Sequence, residues 1–190
     1  MFKFMTSKLA TGARRLKVVR TVRRLFRKQD GAVAVEFGLV AAPFLALVFA
    51  IMETAIVFFA GQALETAVAD SARLILTGQA QSQGFDQAAF KTAVCQKVYG
   101  LFNCATGIYV DVRTFTSFGN VTMNSPLDAN GNFVNNTQYQ PGGPSDIVVV
   151  RLFYQWPVYL SLLGFTMQNM SGGKRLLVAT AAFRNEPYGN

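Results

Sequence analysis

Histidine is missing from the 190 residues. That removes the commonest general base and the commonest transition-metal ligand. No Ser-His-Asp or Cys-His pair can be assembled, and no Walker loop or dinucleotide-binding glycine pattern occurs. Catalysis, metal binding and cofactor binding therefore find little support, and with carboxylate chemistry as the one enzymatic route left open the sequence reads as a protein that is not an enzyme. Two thiols and a few carboxylates remain. Cys95 and Cys104 close a ten-residue loop. An even pair in an exported region favours a disulfide, worth about 2.7 kcal/mol on the chain-entropy account. Lys97 is the one basic neighbour that would favour a reactive thiolate, so a structural bridge is the better reading. The run "DANGN" at 128–132 has the outline of a calcium loop. It lacks the third acidic position and the glycine placement, and Tyr139 stands where the closing glutamate belongs, so it reads as a turn.

The most demanding carboxylate is Glu36. It stands in "DGAVAVEFGLVAAP", residues 30–43, and the sixteen residues after it, Phe37 to Met52, carry no charge. A carboxylate at the mouth of a bilayer is costly, so its presence implies a partner. Glu53 follows 17 residues later, about 25 Å along a helix. There it reaches water at an outer interface, or else contacts another subunit. Pro43 removes one helix hydrogen bond, which a membrane bundle tolerates.

The elements that hold these residues follow from pattern. Residues 37–60 are apolar except for Glu53 and Thr54. Phe37–Met52 alone covers about 24 Å, and adding Ile56–Ala60 spans a bilayer comfortably. The apolar run then continues into "GQALETAVADSARLILTG" without a small-residue cleavage site, unlike a secretory signal. Ala60, Ala63, Leu64, Ala67, Val68, Ser71, Ala72 and Ile75 recur at helical spacing. One helix is expected from about residue 33 to 76, ended by Gly78. Its first half suits lipid, and its Ala-rich second half suits close packing on a domain. "DQAAFKTAVCQKVYGLF" (86–102) reads as a second helix. Strands are expected at 108–118, 146–156 and 175–185, with a long polar loop or irregular hairpin before the second and a short helix at 157–165.

Charge separates the chain into two materials. Residues 1–31 hold ten Lys or Arg against one acid, a net +9, whereas residues 32–190 carry a net −1. A basic arm can bind phosphates. Beside an apolar run, however, it reads as the cytoplasmic flank of a membrane segment, resting on lipid headgroups and not on nucleic acid. The flank places the N-terminus in the cytoplasm and the C-terminal part across the membrane.

The junction Lys28, Gln29, Asp30, Gly31, then "AVAVEF", resembles the processing site of a type IVb prepilin: a basic leader, glycine, four residues, glutamate, then an aromatic, here Phe37. The leader, "GAVAVEFGLVAAPFLALVFAIME", "ALETAVADSARLILTG" and the C-terminal "LLVATAAFRNEP" together resemble TadE-like pseudopilins of the tight-adherence (Tad/Flp) pilus system. The match is strong over 28–80 and loose over 90–187. The resemblance implies cleavage between Gly31 and Ala32 by a prepilin peptidase, and pairing of Glu36 with the free N-terminal amine of a neighbouring subunit. Its length beyond a Flp pilin implies an accessory role. The implied partners are the prepilin peptidase, other pseudopilins and Flp pilin, the inner-membrane assembly platform and membrane lipid. The implied place is the bacterial inner membrane, single-pass, with a periplasmic C-terminal domain and incorporation in the pilus as an option. The alternative is a permanently anchored periplasmic binding or sensory domain unrelated to pili.

The expected architecture is α+β: a long N-terminal transmembrane helix continuing into a small pilin-like domain with a second helix and an antiparallel sheet of about three strands. The expected divisions are a basic leader 1–31, a transmembrane and packing helix 32–77, and an exported domain 78–190.

Overall fold

The computed structural model describes residues 29–98, 100–159 and 166–188. The basic stretch 1–28 and residues 160–165 of the short helix expected over 157–165 lie outside the described residues. The chain divides between Phe49 and Ala50 into two compact units.

Helix α1 is a single element, Gln29–Leu76, and supplies all the described structure of the first unit. Ala, Leu and Met favour it, and Val and Phe are tolerated where the helix satisfies every backbone group. It already includes Gln29, the first described residue, a turn ahead of the start expected near residue 33. Pro43 lies inside it. Proline has no N–H to give the carbonyl of Leu39, so one rung of the ladder is absent there. The side chains up to Phe49 are almost all exposed, Phe37 and Leu39 at 73%.

From Ala50 onward the same helix has a buried stripe. Ala60, Leu64, Ala67, Val68, Ser71, Ala72 and Ile75 are buried at the spacing the periodicity predicts. Val57 joins them, while Ala63 is only half-buried. The helix ends where expected. Gly78 adopts a left-handed conformation, φ 75°, and its N–H donates to the Ile75 carbonyl at 3.0 Å. A Cβ there would run into the Tyr188 ring, so glycine is required on two grounds.

Two short helices, α2 (Gln79–Ser82) and α4 (Cys104–Gly107), flank α3 (Gln87–Lys97). Asp86 caps α3 by accepting from the Ala89 N–H at 2.7 Å. Phe90 and Val94 are its buried face. The helix stops at Lys97, short of the 102 expected, and Val98 is extended. The cysteines explain this. Nine residues of helix advance about 13.5 Å, but Cys95 and Cys104 are bridged with their Cα atoms 5.7 Å apart. The chain must reverse between them.

Three strands, β1 (Ile108–Phe115), β2 (Ile147–Pro157) and β3 (Lys174–Arg184), form an antiparallel sheet in the order β1-β2-β3. The fold is α+β as expected. One face, with Val110, Val150 and Leu152, packs on α1 and α3. Each such buried aliphatic contributes about 1.5–3 kcal/mol. The other face is covered by the 121–140 segment, which explains why β2 is buried from Ile147 to Phe153 on both sides. That segment is the expected irregular hairpin, bridged at Leu127 and Phe133. Its return leg lies parallel to β1. Val112 donates to the Gln138 carbonyl at 2.8 Å and accepts from Gln140 at 2.9 Å, so the β1 edge is occupied. On β3, the Lys174 carbonyl points out of the sheet to Asn169 and Met170. Alternation then turns the backbone of Val178, Thr180 and Ala182 outward as well. Among the described residues nothing pairs with them.

Candidate functional site

Gly31, Ala32, Glu36 and Phe37 all lie in the first turns described for α1, with the Gly31–Ala32 peptide inside the helix. Gly31 is half-buried; Ala32, Glu36 and Phe37 are exposed. In a helix, residues 32 and 36 stack one turn apart on the same face. Glu36 makes no hydrogen bond or ion pair with the described residues. Around it Val33, Val35, Leu39 and Val40 are exposed. The helix is long and apolar enough to cross a bilayer by length and composition, and the exposed apolar side chains continue to Phe58 and Phe59. Between Gly31 and Met52 this is an apolar cylinder with Glu36 as its one carboxylate, suited to lipid or to other such helices.

The two polar residues within the apolar run are satisfied inside the second unit. Thr54 Oγ1 donates to the Ala50 carbonyl at 2.8 Å. Glu53 is half-buried, and its Oε1 accepts from the Tyr159 N–H at 2.6 Å. Glu53 therefore tethers the start of the β2–β3 connection to the helix, a role that sequence spacing alone did not suggest.

The cysteines sit in the second unit, where their bridge ties the end of α3 to α4. The 128–132 run forms a turn closed by its own aspartate. Asp128 Oδ1 accepts from the N–H groups of Asn130 at 2.9 Å and Asn132 at 2.8 Å, while Oδ2 accepts from the Asn132 amide at 3.1 Å. The bonds to Asn132 hold the carboxyl below its ordinary range. Gly131 takes φ 75° within that turn.

One constellation escaped sequence reasoning. Register places Asp111 directly opposite Arg151, and Arg113 follows on the same face of β1. The Asp111 side chain is 1% exposed. Its Oδ2 accepts from Arg151 Nη2 at 2.6 Å and Nε at 3.1 Å, and from Arg113 Nε at 3.0 Å. Its Oδ1 accepts from the Gln138 N–H at 2.9 Å. The arginines also brace the covering loop: Arg151 Nη1 donates to the Asn124 carbonyl at 3.3 Å and Arg113 Nη2 to the Asn136 carbonyl at 2.7 Å. The Arg151 guanidinium lies 5.0 Å from the Phe153 ring centre.

Comparison with known proteins turns on the helix. Residues 31–73 match the family of TadE-like proteins. The matched stretch begins at Gly31 and takes in the exposed apolar half of α1 and most of its packing half. No curated protein and no solved structure matches the chain. Over residues 31–73 of its long helix the chain is therefore similar to the TadE-like proteins, a family associated with Tad pilus systems.

Proposed function

We propose that the protein is an accessory (minor) pseudopilin that takes part in assembling a tight-adherence pilus after a prepilin peptidase cuts between Gly31 and Ala32. The reading is carried by one observation. Glu36 is the one charged residue between Gly31 and Met52 on an exposed apolar helix, the fifth residue after that junction, and the same helix continues as the packing spine of a folded domain. Cutting would give Ala32 a charged amine in the first helical turn. A carboxylate in lipid costs on the order of 2.5–3.5 kcal/mol, and an opposite charge from a neighbouring subunit offsets part of it. Near a helix start the acid also meets the positive end of the macrodipole.

On this reading the basic segment stays in the cytoplasm, α1 spans the bacterial inner membrane, and the α+β domain faces the periplasm, the oxidising side that suits the Cys95–Cys104 bridge. The partners are the peptidase, Flp pilin and other pseudopilins, and the assembly platform. Intact-mass measurement of membrane-extracted protein, co-expressed with its peptidase, tests the reading. The expected mature chain begins at Ala32, and Gly31→Leu stays at precursor mass. A wild-type chain retaining its basic leader in cells that assemble functional pili would overturn it. Glu36→Ala is expected to be cut yet recovered poorly with pilin subunits.

A further inference from the structure

Two guanidiniums share one carboxylate beneath the 121–140 segment, and the surplus positive charge opens onto a cavity. The cavity measures about 170 Å³ and is lined by Arg113, Arg151, Asn136, Thr137, Ser125 and Phe153. No acid lines it. We propose that it binds a small oxyanion, held between Arg113 and Arg151. The proposal is independent of the membrane and pilus reading.

Charge carries the argument. Asp111 is saturated: its oxygens already accept from both arginines and from Gln138. It neutralises one guanidinium and leaves the other uncompensated. Arg151 is only 9% exposed, and the Arg113 side chain 17%, so water screens the excess charge poorly. Donors are also left over. Arg113 spends Nε on Asp111 and Nη2 on Asn136, and its Nη1 has no acceptor among the described residues. A guanidinium fork is built for the paired oxygens of a carboxylate or phosphate. Arg151 is fixed by Asp111, Asn124 and the Phe153 ring, so the donors are ordered before anything binds. The volume holds a tetrahedral anion together with a water, whose share of liquid volume is about 30 Å³.

The test uses the full chain in detergent micelles at constant ionic strength, with chloride replaced stepwise by inorganic phosphate or by acetate. Thermal unfolding is followed by the fluorescence of Trp156, the one tryptophan. Phosphorus NMR line broadening reports phosphate binding directly. A saturable rise in the unfolding midpoint beyond that in chloride is expected. Phosphate alone assigns a phosphoryl ligand, and acetate a carboxylate such as an acidic side chain. Arg113→Gln, which keeps the Asp111–Arg151 pair, is expected to lose the rise, whereas the exposed-lysine control Lys174→Gln keeps it. Should Arg113→Gln fail to fold, Arg113→Lys retains the charge without the fork and is expected to need at least several-fold more anion. No saturable response to either anion in the wild type, or a response unchanged by these Arg113 substitutions, would overturn the proposal.

Discussion

Asp111 is the residue on which the far face of the sheet depends. Asp111→Ala would leave two largely buried guanidiniums facing each other, and is expected to lower stability by about 3–5 kcal/mol in denaturant unfolding. Tyr139 presents the opposite situation. Its ring lies 5.6 Å from that of Phe90, but its hydroxyl is buried without a partner among the described residues. Burial first, and the charge of Asp86 second, push its pKa from 10.0 up to about 12. A phenol raised in the folded state favours folding fully below pH 10, and that contribution falls as pH rises from 10 toward 12. Tyr139→Phe is expected to match or exceed wild-type stability by up to about 1 kcal/mol at neutral pH. It should also flatten the fall between pH 10 and 12, as equilibrium unfolding at both ends of the window would show. Neither residue declared itself in the sequence. A lone Asp or Arg in an alternating strand reads as a solvated face, and only register together with a covering loop converts three of them into a buried cluster.

Among the elements, those with strong period were legible. The packing half of α1, the three strands and the stop at Gly78 follow from spacing and turn chemistry. The end of α3 did not, because two readings of the same residues were incompatible: a helix through 102 and a bridge from Cys95 to Cys104 cannot coexist at a 1.5 Å rise. The bridge is local geometry that periodicity does not carry. Glu53 was similarly half-legible. Its position near the end of the apolar run was plain, but its bond to the Tyr159 amide links residues 106 apart in the chain. At Gly78 both local and tertiary demands apply. Gly78→Ala is expected to cost about 1–3 kcal/mol from the left-handed backbone alone, with a further loss from the displaced Tyr188 ring. Proteolysis at the C-terminal segment should accelerate in that variant, since Tyr188 also receives the Asn185 amide at 3.2 Å.

For the whole molecule, the exposed apolar side chains from Val33 to Phe59 are the dominant surface feature. A surface of that length is incompatible with water and matches a bilayer or a bundle of like helices. Membrane-bound protein is therefore expected to resist high salt and alkaline carbonate and to be released by detergent. Release by salt alone would mean that only the basic segment holds it. The sheet has a consequence of another kind. One of its margins is plugged by the molecule's own Gln138–Gln140, while on the other nothing among the described residues pairs with Val178, Thr180 and Ala182. A guest strand can therefore dock on a single flank, and if two copies joined flank to flank neither would have a site left for a third. Across the described edges, strand addition would stop at a pair, and a longer array of this protein would need a surface other than the sheet margin.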